Sequence, residues 1–136
     1  MRRYGIGLAV AAIAIGALPG CGLGGDDGGG SDRDAVEQVM SDLESASRDG
    51  DGSRICEEIF TPKLSSSVTR SSSSGSCASE VKANMFSPDT QIEVESISVP
   101  DGSSATAMVK ESNGNVSRVF LVKQGDEWRI RGVTPA

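Results

Sequence analysis

The sequence predicts an α+β domain in which N-terminal helices pack on a curved four-stranded antiparallel sheet. Three observations carry this reading. Between Asp34 and Ala46 the apolar residues recur at three- and four-residue steps, the period of a helix with one buried stripe. From Gln91 to Val133 apolar and polar residues alternate, the period of half-buried strands. That alternating stretch is cut by Pro100-Asp101-Gly102, Asn113-Gly114 and Gln124-Gly125-Asp126, short turns that connect neighbouring antiparallel strands.

Taken in order, the first helix places Ala35, Val36, Val39, Met40, Leu43 and Ala46 on one face. Asp34 followed by Glu37 has the spacing of a capping box, so the helix is expected to start there. Asp49-Gly50-Asp51-Gly52 stops it. A short second helix follows, with Ser53 as its expected N-cap and Ile55, Cys56, Ile59 and Phe60 apolar, ended by Thr61-Pro62; Leu64 and Val68 suggest an irregular extension. Residues 65 to 76 are mostly serine and read as a mobile loop. A third helix is expected from Ser76, with Cys77, Val81 and Met85 at four-residue steps.

In the first strand Ile92 and Val94 share one parity, whereas Ile97 and Val99 take the other. A one-residue phase slip inside a strand is the sequence mark of a β-bulge, and bulges bend sheets. The second strand aligns Ala105, Ala107 and Val109; the third covers Val116 to Lys123; the fourth covers Glu127 to Val133 with Trp128 and Ile130 on one face. Trp128 reads as a core residue, and Arg129 and Arg131 as a solvated strand face.

With 136 residues and four large aromatic residues beyond the first twenty positions, the chain has material for one modest core. Its formal charge is −6, and removing Arg2 and Arg3 leaves 11 basic residues against 19 acidic ones, a charge of −8. Nucleic acid is excluded as an expected partner, because phosphate binding needs clustered Lys and Arg and these are scattered among acids.

Residues 1 to 20 have the layout of an export signal: two arginines, an uncharged apolar run from Tyr4 to Leu18, and small residues before Cys21. Leu18-Pro19-Gly20-Cys21 resembles the lipobox of bacterial lipoproteins, with Pro19 in a place that more often holds Ala, Ser or Thr. The resemblance implies cleavage before Cys21, a diacylglycerol thioether on its sulfur, and a domain held at the extracytoplasmic face of a membrane. The competing reading, an uncleaved membrane-spanning helix, needs about 20 apolar residues. Residues 21 to 32, Gly-rich with Asp26 and Asp27, read as a flexible linker ahead of a domain at 33–136. Asp26-Asp27 lacks the ligand count of a calcium loop.

With Cys21 taken by a lipid, Cys56 and Cys77 are left as an even pair outside the cytoplasm, where disulfides persist. Both fall on apolar helix faces, so a disulfide between them is expected; two buried free thiols are the alternative. A metal site is not expected, because the chain has no histidine and no further cysteine to complete a ligand set.

Helices followed by a four-stranded meander ending in Gly125-Asp126-Glu127-Trp128-Arg129-Ile130 resemble the nuclear transport factor 2-like superfamily, the cone-shaped fold of ketosteroid isomerase and the SnoaL-like polyketide cyclases. The likeness extends through Asp49-Gly50-Asp51 and Phe60-Thr61-Pro62-Lys63-Leu64 and spans roughly residues 33 to 134. Enzymes of that superfamily set Asp, His and Tyr inside the cone as acid, base and oxyanion donor. This chain has no histidine, and its only tyrosine is Tyr4, so that set has no positions to occupy. A non-enzymatic domain without cofactors is therefore expected, binding either a small apolar or amphipathic ligand in the cone or another envelope protein through the sheet or the serine-rich segment. A lone buried carboxylate acting as a base is the enzymatic alternative. Asn115-Val116-Ser117 matches a glycosylation sequon, which a bacterial lipoprotein does not use.

Overall fold

The computed structural model describes residues 29–136; the expected export signal, Cys21 and most of the expected linker lie outside the described residues. The domain is α+β: helical segments come first, and an open antiparallel sheet follows in the order β1-β2-β3-β4.

Helix α1 runs from Gly29 to Asp49 and buries Val36, Met40, Leu43 and Ala46, the stripe that the periodicity marks. It starts five residues earlier than expected, so Asp34 is an exposed helical residue and forms no cap, and residues 29–32, expected as the end of the linker, are helical. Glycine and serine give this first turn little intrinsic helicity. Tertiary contacts compensate: Lys123 Nζ and Trp128 Nε1 donate to Asp32 Oδ1 at 3.0 and 3.3 Å, and Arg33 donates to the Ile97 carbonyl at 2.9 Å. Gly50, at φ 68°, ends the helix in the left-handed conformation that a Cβ disfavours.

Helix α2 (Gly52–Arg54) passes directly into a π-helical turn (Ile55–Ile59). Its N-cap is Asp51, whose carboxylate accepts from Arg54 N at 3.1 Å, not Ser53, which is exposed. A Cβ on Gly52 would overlap the Ala78 carbonyl, whose carbon stands 2.9 Å from that position, so two backbones meet here. The neighbouring Cys56 and Cys77 are joined as a disulfide with Cα atoms 6.2 Å apart.

The serine-rich stretch is largely helical, contrary to the expected loop: α3 spans Pro62–Ser71, and only residues 72–76 are irregular. Thr61-Pro62 begins a helix as well as ending one. Thr61 Oγ1 accepts from Leu64 N at 3.1 Å, and Pro62 occupies the first turn, where its missing N–H costs nothing. Val68 turns into the core, while Thr69 and Ser71 donate back to the carbonyls of Ser65 and Ser67. Helix α4 (Cys77–Glu80) is capped by Ser76 and continues as a second π-helical turn (Val81–Met85).

The strands are β1 (Ile92–Ser98), β2 (Ser104–Glu111), β3 (Val116–Gln124) and β4 (Glu127–Pro135). The expected bulge lies in β1, where the register shifts between Val94 and Ser96. A second shift, opposite Phe120/Leu121, puts the extra residue at Arg131 in β4 and was not among the expectations. The sheet's inner face carries Ala105, Ala107, Val109, Val119, Leu121, Trp128 and Ile130, all at most 4% exposed. Helix α1 contacts both edge strands and so crosses this face. Phe60, Phe86, Ile55 and Val81 fill the space beside it, with Phe60 and Phe86 packed edge to face.

Both sheet edges are engaged. Thr61 N donates to the Ile130 carbonyl at 2.8 Å, closing part of β4, and Glu44 Oε1 accepts from Val94 N at 3.2 Å on β1. Unpaired edges invite aggregation, and these contacts blunt it.

Candidate functional site

The space between helices and sheet is occupied by side chains, so a ligand has to be met at the surface. Three grooves border α1, the smallest of them, about 180 Å³, at its C-terminal end beside Pro88 and Gln91. The one toward β1, about 320 Å³, is bordered by Arg33, Glu44, Val94 and Ile97, whose polar groups already bond one another across it. The one toward β4 is larger, about 430 Å³, within the range of small-molecule sites.

This second groove has an apolar floor of Ala35, Val39, Ile59 and the edge of Trp128. Its two walls carry charge. Arg54 bridges Asp42 at 3.4 Å and Glu58 at 3.5 Å; Arg129 meets Glu127 at 3.2 Å. Position follows from local structure. Asp42 projects from α1, Arg54 and Glu58 lie one turn apart across the junction of α2 with its π turn, and the β3–β4 hairpin presents Glu127 and Arg129.

Arg129 is not the solvated residue that strand alternation suggests. It is 23% exposed, and its Nη1 donates to the carbonyls of Glu57 and Phe60 at 3.1 and 3.3 Å. Carbonyls at the end of a helical turn lack intrahelical donors, and a guanidinium supplies several in one plane. Arg131, by contrast, is exposed, with its guanidinium carbon 5.3 Å from the centre of the Phe120 ring on the outer face. Trp128 is 4% exposed, as a core residue should be, and its indole N–H is committed to Asp32.

Asp32 ties the groove's end together. The Lys123 ammonium bonded to it holds its carboxyl below the ordinary aspartate range; partial burial opposes this, and the Trp128 hydrogen bond adds to it. Asp101, in the β1–β2 turn, is also lowered, first by the Ser103 hydroxyl and then by the Ser103 and Ser104 backbone N–H groups. That is the chemistry of a turn, outside the groove.

The groove joins an apolar floor to paired charges of both signs. Guanidiniums hold anions, carboxylates hold cations, and the floor holds hydrocarbon. No serine, threonine or cysteine lines it beside a base; the two remaining cysteines are in the disulfide. Among the described residues, no three His, Cys, Asp or Glu side chains converge as a metal site, and no helix is long and apolar enough to cross a membrane. Of the site residues expected from sequence, Cys21 lies outside the described residues and Cys56 and Cys77 stand together away from the groove. Arg54, Asp42 and Glu58 were not singled out in the sequence, where they look like ordinary surface charges.

No known protein family, curated protein or solved structure matches the chain.

Proposed function

We propose that the protein is an exported lipoprotein, anchored through a lipid on Cys21, whose domain is a non-catalytic binding module for a small amphipathic ligand. The fold is proposed to be nuclear transport factor 2-like. Helices preceding a four-stranded meander, α1 laid over the inner face, and the bulge at Glu95 that bends the sheet all favour that reading.

The observation that carries the binding reading is the groove between α1 and β4: an apolar floor ending at Trp128, walled by two guanidiniums and three carboxylates within 4 Å of one another in pairs. A ligand with a short hydrocarbon body and one or two charged ends matches it. Because the interior is filled by Met40, Leu43, Phe60 and Ile130, each no more than 1% exposed, the ligand belongs in this groove and not inside a cone.

Titration of the 15N-labelled protein with a panel of amphipathic acids, amines and zwitterions tests this. Shifts clustered on the Trp128 indole N–H, Ala35, Val39 and Ile59, lost in Arg54→Ala, are expected. A panel that moves only resonances elsewhere, or none, contradicts it.

A second reading, docking on another envelope protein, draws on the sheet's outer face, which no helix covers: none of its residues is fully buried.

A further inference from the structure

The outer face of the sheet is chemically unlike the rest of the molecule. Its strands project Met108, Val116, Phe120 and Val122, all partly exposed, from the positions opposite the core. Around them stand Lys110, Arg118 and Arg131, with Lys63 at the corner where α3 begins beside Val122 and one acid, Glu93, as the cross-strand neighbour of Lys110. Among the described residues, none of these four cations has a carboxylate within 4.0 Å; Arg33, Arg54, Lys123 and Arg129 are ion-paired, and the other unpaired cations, Arg48, Arg70 and Lys82, are spread over the helices among their acids. The acids gather elsewhere: residues 29 to 90 carry 11 acidic and 6 basic side chains.

We infer that this face rests on an anionic lipid surface, the membrane that holds the tether. The inference relies on the lipid-anchor reading of Cys21 for proximity: eight peptide steps separate Cys21 from Gly29, a span of at most about 28 Å whatever its conformation, comparable to the width of a small domain. Unpaired cations ringing an apolar centre are the chemistry of a surface that meets headgroups. Long Lys and Arg side chains reach phosphates while Phe120 and Met108 enter the interface. Lipid charges move laterally, so the face needs no fixed complementary geometry, and it carries only a shallow depression near Lys63 and Arg131. The acidic helical side, with the groove beside α1, is then turned away from the bilayer.

Lysine acetylation of the full lipidated chain in vesicles tests the inference. On vesicles containing phosphatidylglycerol, Lys63 and Lys110 should label about fivefold more slowly than on phosphatidylcholine alone, with Lys82 on the helical side unchanged and the protection lost in high salt. The double variant Arg118→Glu/Arg131→Glu should still sediment with both vesicles but lose the protection, with an unchanged circular dichroism spectrum showing that it folds. Sedimentation with both vesicle types but equal labelling overturns the docking face and leaves the anchor standing. Failure to sediment with either removes the anchor and the inference with it. Protection that appears only when envelope protein is added assigns the face to an acidic protein and overturns the lipid proposal.

Discussion

The two faces of one sheet are built from adjacent residues of the same strands, yet they do opposite work. Along β2, Ala105, Ala107 and Val109 are at most 3% exposed, and the residues between them, Thr106 and Met108, are half-buried with no helix over them. The inner face gains by excluding water, so the charge at its end, Lys123 beside Trp128, is held by Asp32, and the packed interior leaves no space for a ligand. The outer face gains by meeting solvent or a partner, so apolar and cationic residues can stand side by side. Burial and exposure are thus separated by one residue of strand phase, and single substitutions should separate their energetic weight as well.

The largest expected contrast is between two phenylalanines. Phe60→Ala, at a site with no exposure, should cost about 3–5 kcal/mol, whereas Phe120→Ala on the outer face should cost under about 1 kcal/mol; urea unfolding of both variants measures the difference. Equal losses would erase the distinction between the faces. Next is the covalent link behind the inner face: Cys56→Ser/Cys77→Ser opens a loop with a sequence separation of 21 and should cost about 3 kcal/mol. Gly52→Ala, forced against the Ala78 carbonyl, should cost about 1–3 kcal/mol, and a wild-type unfolding midpoint would disprove the close approach of α2 to α4. Thr61→Ala, which uncaps α3, should cost about 1 kcal/mol.

The smallest effect concerns acid. Asp32 and Asp101 have carboxyls depressed in the folded state, so the stability they contribute is complete above the ordinary aspartate range and fades as pH falls below it. Asp32→Asn should therefore lower the unfolding midpoint at neutral pH and flatten its fall between about pH 5 and pH 3. An unchanged acid limb would show that the Lys123–Asp32–Trp128 contact contributes nothing.

The sheet was legible because a period of two survives in every strand, and the β1 bulge was legible because apolar residues stand on both sides of the phase slip, at Val94 and Ile97. The bulge at Arg131 leaves the same mark, Ile130 and Val133 on opposite parities, but Val133 is the last apolar residue of the strand, so nothing beyond it repeats the new phase as Val99 does in β1. Among the helices, Asp51 displaced Ser53 as cap, and the first turn of α1 is held by residues more than 60 positions away, which no local pattern records. The serine run hid α3 because serine is read as a loop former, whereas Leu64 and Val68 supply one helical stripe and the serines face water or bond backward. The groove was illegible for a topological reason: α1, the π turn and the β3–β4 hairpin meet only when the chain is folded, and each contributes charges that are unremarkable alone.

With its core filled, the domain can meet a ligand only at its surface, and what it meets there depends on where it is held. Intact-protein and peptide mass spectrometry of the chain extracted from the host membrane tests that dependence most directly. The lipid-anchored reading requires a mature N-terminus at Cys21 carrying a diacylglycerol adduct, with Cys56 and Cys77 linked. A membrane-bound chain that retains residues 1–20 and an unmodified Cys21 would contradict it.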